Sequence, residues 1–200
     1  MKFNFERKTF NIGEKLKVGV ISDSQLSPAR RKNETTFRKN LVLSLSSLKN
    51  QGCNMIIFAG DICNMASAYA YDTYMDAFKS VFGEKMPVVQ SIMGNHDYYG
   101  ARTAKGCRRL FLHKTGDSAF THYTVNGFHF IGASPDCAKM SDGYRKILPY
   151  LKNEIEIAKK SAATDLFLLR RTILPKIPYT AAMIGAINRF LTRFRNIRML

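Results

Sequence analysis

Three short elements of this 200-residue chain could do chemistry: Asp23-Ser24-Gln25, Gly60-Asp61 and Gly94-Asn95-His96-Asp97. Each follows an apolar run and offers oxygen or imidazole groups of the kind that hold Mn, Fe, Zn or Mg. A histidine can also give or take a proton near neutral pH. Gly60 and Gly94 let the backbone turn sharply and leave room beside the polar groups. Taken singly, a loop aspartate is more often a helix cap than a ligand. Three such tips in order make the stronger signal.

The runs that lead into these elements read as strands. Lys17–Ser22, Asn54–Ala59 and Pro87–Met93 are short, apolar and end in polar residues. Phe37, Leu41, Leu45 and Leu48 recur at helical spacing until Gln51-Gly52, and a second helical stretch covers about Ala66–Phe82. Alternating strands and helices predict a parallel α/β core, in which ligands bind beyond the carboxyl ends of the strands. A helical patch near Arg102–His113 precedes Phe120–Val125 and Phe128–Ala133, which flank Asn126-Gly127, a dipeptide suited to a tight hairpin. Ile147, Leu148, Leu151, Ile155 and Ala158 predict a further amphipathic helix. His113, His122 and His129 fall in helix or hairpin positions and read as structural or surface residues.

In order and spacing, the three elements resemble the calcineurin-like metallophosphoesterase family, whose pattern is Asp-x-His, then Gly-Asp, then Gly-Asn-His-Asp or Glu. The resemblance spans roughly Lys17 to Ala163. It implies an α/β fold, a sandwich of mixed sheets flanked by helices. It also implies metal-dependent hydrolysis of a phosphate mono- or diester by a metal-bridging hydroxide. Two divalent ions about 3.5–4 Å apart clamp an in-line displacement and bring the pKa of a bound water toward about 7. The resemblance places Asp23 and Gln25 on the first ion, Asp61 across both, and Asn95 on the second through its amide oxygen. His96 would not be a ligand. It would neutralise or protonate the leaving oxygen, with Asp97 holding its ring.

Two departures from the family pattern stand out. Gln25 occupies the usual histidine position, and a glutamine oxygen is a weaker, harder ligand than imidazole, so the first site is expected to bind loosely or to prefer Mn or Mg over Zn. After Asp165 there is neither the later histidine nor a Gly-His-x-His element. From Leu166 onward the chain has seven basic residues (Arg170, Arg171, Lys176, Arg189, Arg193, Arg195, Arg198), no acidic one, and no strand is expected. The expectation is a domain truncated in its second half: residues 1–165 are its amino-terminal part and residues 166–200 an aberrant basic tail. Read one nucleotide earlier with chosen synonymous codons, the tail encodes a strand and the missing histidine, and Met183-Ile184 force an aspartate there. A one-base length change near Lys160–Asp165 would account for it. The alternative function is a non-catalytic remnant that binds phosphate or nucleic acid through its basic residues, although no nucleic-acid motif is present.

Composition narrows the classes. Lys plus Arg number 31 against 15 for Asp plus Glu, a net charge of +16 that suits a phosphate-bearing substrate, nucleic acid or an anionic surface. With 46% apolar and 23% charged residues, disordered, collagen-like and coiled-coil readings are excluded. No apolar run approaches the roughly 20 residues of a membrane span, and Met1–Lys17 lacks the apolar core of a secretory signal, so a cytoplasmic location is expected. Cys53, Cys63, Cys107 and Cys137 form no Cys-x-x-Cys pair and read as buried thiols.

Overall fold

The computed structural model describes residues 4–30, 34–139, 143–161, 166–169 and 197–199. In chain order the elements are β1 (Glu6–Phe10), β2 (Val18–Ile21), α1 (Glu34–Asn50), β3 (Met55–Ala59), α2 (Ala68–Phe82), β4 (Val88–Ile92), α3 (Ala104–Thr115), β5 (Phe120–Val125), β6 (Phe128–Ala133), α4 (Leu148–Lys160), β7 (Leu166–Leu169) and β8 (Ile197–Met199). They build two sheets. One is parallel, in the order β2-β3-β4; the other is mixed, in the order β1-β5-β6-β7-β8, with β5 and β6 antiparallel. Asn126 and Gly127 both take positive φ in the β5–β6 hairpin, as an Asn-Gly turn requires.

The alternation of β3 explains the sandwich. Met55 and Ile57 point between the sheets, where they pack with Ile92, Tyr123, Val125 and Phe130. Ile56 and Phe58 point the other way, into a cluster that includes Leu41, Leu45, Tyr71, Tyr74 and Phe78. A strand buried on both faces reads as an unbroken apolar run, which is what Met55-Ile-Ile-Phe58 is. Each large side chain so buried contributes about 1.5–3 kcal/mol. Ser67 and Thr103 cap α2 and α3, accepting hydrogen bonds from the N–H groups of Ala70 and Gly106.

Buried polar groups join the layers. Asp117 accepts the Ser91 N–H at 2.8 Å and the Tyr123 hydroxyl, linking β4 to β5. On the outer face of the mixed sheet, Arg7 of β1 grips Glu154 of α4 through Nε (3.1 Å) and Nη2 (2.6 Å). Glu154 also meets His122 Nδ1 at 2.9 Å, and His122 Nε2 lies 2.8 Å from His129 Nδ1. Both histidines are buried and structural, in line with the sequence reading.

Several expectations change. Strand β1 was not anticipated; it pairs parallel to β5. No strand was expected after Asp165, yet Leu166–Leu169 pairs parallel to β6, because four apolar residues following α4 supply the next strand of the α/β alternation. Residues 170–196, with most of the expected tail, lie outside the described residues. Cys63 and Cys107 are buried, but Cys53 and Cys137 are only partly so. No described helix is long and apolar enough to cross a membrane.

Candidate metal centre

Beyond the carboxyl ends of β2 and β3 the hydrogen-bond ladder continues into the loops. The Asp23 N–H donates to Gly60 O (3.0 Å), the Gln25 N–H to Asp61 O (3.0 Å) and the Leu26 N–H to Ile62 O (2.8 Å). Ser24 Oγ adds a bond to Ile62 O at 2.9 Å. Asp23, Gln25 and Asp61 all sit in the left-handed backbone region, at φ 60°, 42° and 53°. That conformation is uncommon for residues with a Cβ and is held here by the neighbouring loop.

Gly94, at the tip of β4, leaves the space that Asp61 fills. A Cβ on Gly94 would stand 1.9 Å from Asp61 Oδ1 and 2.5 Å from its backbone nitrogen, so only glycine fits. Asp61 is fully buried, and its Oδ1 accepts the His96 N–H at 3.0 Å. Asn95 is buried beside it. Its Nδ2 donates to the Tyr99 hydroxyl at 2.9 Å, while its Oδ1 is buried with no hydrogen-bond partner. Leaving such an oxygen unsatisfied costs about 1–3 kcal/mol, a penalty that a bound cation removes. Among the described residues no group of three His, Cys, Asp or Glu side chains could hold an ion. The candidate set escapes that pattern because two of its four members, Gln25 and Asn95, are amides. Carboxylate and amide oxygens on adjoining tips fit hard divalent cations.

His96 and Asp97 part company. The turn at His96–Tyr98 sends consecutive side chains in different directions. His96 Nδ1 lies 3.2 Å from both the backbone oxygen and Oδ1 of Asn64. Two oxygens opposite Nδ1 favour a proton there, which leaves Nε2 as the reactive nitrogen. The resemblance gave the task of holding this ring to Asp97; the structure gives it to Asn64. Asp97 is instead fully buried beneath the tips, where it accepts the N–H groups of Ile62 (3.3 Å), Cys63 (3.0 Å) and Gly94 (2.8 Å) and the Tyr71 hydroxyl (3.2 Å). Burial pushes its carboxyl up to about 6 against the pull of these donors, and the nearby Asp61 adds to the rise.

The family model for calcineurin-like phosphoesterases matches residues 16–167. The chain belongs to the calcineurin-like phosphoesterase family. The matched span takes in every candidate residue from Asp23 to Asp97 and ends inside β7. The fold is also that of a solved dimetal phosphatase from Danio rerio, at 12% identity and a TM-score of 0.54, covering 90% of this chain and 78% of that one. A comparison with curated proteins finds no match.

Three further residues of this calcineurin-like phosphoesterase bear on the site and escaped the sequence reading: Asn64 on the His96 ring, Tyr71 on Asp97 and Tyr99 on Asn95. Asn64 alone had a signal, as a polar residue in the loop that carries Asp61. A cavity of about 210 Å³ opens beside Asp23, between the end of β2 and α1, with Phe37, Asn40 and Ser44 in its wall. Phe37, which helical spacing puts with the core, lies there 44% exposed.

Proposed function

We propose that the chain hydrolyses a phosphate mono- or diester using two divalent cations at the strand tips. Asp23 and Gln25 would hold one cation, Asp61 both, and Asn95 the other. When bound, such cations polarise the phosphoryl group and acidify water at neutral pH. The observation that carries the reading is the Asn95 amide, buried beside Asp61 with its Nδ2 engaged and its Oδ1 without a hydrogen-bond partner. A donor set of oxygens with glutamine in place of histidine favours Mn or Mg over Zn.

The remaining chemistry belongs to side chains that need no metal to be in position. His96, with Nδ1 on Asn64, is suited to present Nε2 to the ester and to give its leaving oxygen a proton. Asp97 braces the loops that carry Asp61, His96 and Gly94 rather than touching the reacting atoms. The net charge of +16 draws an anionic ester toward the surface.

The test is hydrolysis of p-nitrophenyl phosphate and bis-p-nitrophenyl phosphate by the purified chain. Turnover is expected with added Mn²⁺, lost in chelator, and lowered at least about 100-fold by Asp61→Asn or His96→Asn. Turnover indifferent to both substitutions overturns the reading. A binding remnant shows no turnover and instead retains a polyanion in chelator, with an affinity that falls steeply as salt rises.

A further inference from the structure

We propose that Tyr99 is a positioning residue that aligns two neighbours at once: its hydroxyl orients the Asn95 amide, and its ring backs the His96 imidazole. This rests on the metallophosphoesterase reading above. The two ends of an asparagine amide have the same shape and opposite polarity, so a flipped Asn95 would aim an NH₂ group where a cation needs an oxygen. The Tyr99 hydroxyl accepts the Asn95 Nδ2–H at 2.9 Å. The hydroxyl can donate or accept, so it does not choose the amide's orientation by itself; with Oδ1, buried and without a hydrogen-bond partner, turned to a cation, it is the acceptor that the Nδ2–H end requires. The same side chain lies against His96, with ring centroids 4.6 Å apart and planes tilted by 52°. His96 is thus held at Nδ1 by Asn64 and across one face by Tyr99.

The backbone at Tyr99 is fixed from two directions. Its N–H donates to His96 O at 3.0 Å, and its own carbonyl accepts the Ala66 N–H at 3.0 Å. Ala66 precedes Ser67, the cap of α2, so the loop after β3 helps to set where the hydroxyl stands. Tyr99 is 39% exposed and belongs to neither apolar cluster, so core packing does not account for a large aromatic at this position.

The experiment titrates metal-free protein with Mn²⁺ and reads the free-ion electron paramagnetic resonance signal. Tyr99→Phe keeps the ring and removes the acceptor; the affinity at one site is expected to weaken about 10- to 100-fold, the usual effect of losing a partner that orients a ligand. The metal-free protein should stay folded, its melting temperature lowered only by the loss of one hydrogen bond. In an Asn95→Ala background, Tyr99→Phe should add nothing, because the two changes remove one interaction. Tyr99→Leu, which also removes the ring, should lower kcat further at saturating Mn²⁺ with KM unchanged. If Asn95→Ala weakens Mn²⁺ binding and Tyr99→Phe does not, or if Tyr99→Phe weakens it equally in both backgrounds, this inference is overturned while the phosphoesterase reading stands. Wild-type protein that binds no Mn²⁺ overturns both.

Discussion

Asn64 presents two oxygens, one from its backbone and one from its side chain, to Nδ1 of His96 at 3.2 Å each. The pair links the loop after β3 to the loop after β4 and fixes which ring nitrogen faces the site. Asn64→Ala keeps the backbone oxygen and loses the other. We expect kcat to fall about tenfold with KM little changed, since the loss is of proton-transfer geometry rather than of substrate binding. Steady-state kinetics with an aryl phosphate ester checks it, and a rise confined to KM would contradict it.

Gly94→Ala is the smallest change that should disable the centre. Its Cβ would fall 1.9 Å from Asp61 Oδ1, so Asp61 must move. A displacement of about 1 Å at a reacting centre costs on the order of 100-fold in rate. We expect a loss of kcat/KM of that size together with weaker Mn²⁺ binding, measured by titration. Unchanged Mn²⁺ affinity would show that Asp61 is not a ligand.

Asp97→Asn should act on stability before it acts on rate. Each Asp97 oxygen receives two donors, Ile62 and Gly94 N–H on one, Cys63 N–H and Tyr71 O–H on the other. An amide must turn its NH₂ toward one of these pairs, leaving buried donors unsatisfied at about 1–3 kcal/mol each. Tyr71→Phe removes one donor from the same carboxylate and should cost less, about 0.5–1.5 kcal/mol. Urea unfolding of both variants gives the comparison, and equal losses would argue against this role for Asp97.

Acid should weaken the fold through the outer face of the mixed sheet. Burial, with His122 beside it, holds the His129 imidazole below its ordinary value, so the unfolded chain takes a proton first. That contribution fades as pH falls below about 6.5. Burial alone would raise the Glu154 carboxyl, but hydrogen bonds from Arg7 and His122 outweigh it and hold the group below its ordinary value. Its contribution is complete above about 4.3 and is lost as pH drops through the lowered folded value. Asp97, whose carboxyl burial raises to about 6, works in the opposite direction, so the His129 contribution is read as the difference in melting temperature between wild type and His129→Gln, which should shrink as pH falls from 7 to 5. A difference between the two proteins that is level between pH 7 and pH 5 would contradict the assignment.

What the sequence made legible follows from how each element is buried. β3 was readable because apolar residues fill it, β5 and β6 because they flank the Asn126-Gly127 turn, and α1, α2 and α4 because one face is apolar. β1 was not. Its five residues, Glu-Arg-Lys-Thr-Phe, place charged groups where an amphipathic strand carries apolar ones, and the basic ones reach Glu154 of α4 and Asp117 in the loop before β5, while Glu6 accepts the Ser118 N–H. At the site, glycine and acid types drew attention to the tips of β2, β3 and β4, which the parallel sheet brings side by side. The partner of His96 was misplaced because adjacency in sequence favoured Asp97, whereas the turn at His96–Tyr98 separates them and brings Asn64 in from another loop.

The left-handed backbones at Asp23, Gln25 and Asp61 set the tempo of the site. A residue with a Cβ in that region stores roughly 1–3 kcal/mol, and here the strain is locked in by bonds between the two loops. The chain accepts that cost once, when it folds. If these residues hold the cation as proposed, it meets ligands already bent into place, so uptake should run at the speed of ion dehydration rather than of loop rearrangement, and emptying the centre should leave its shape behind.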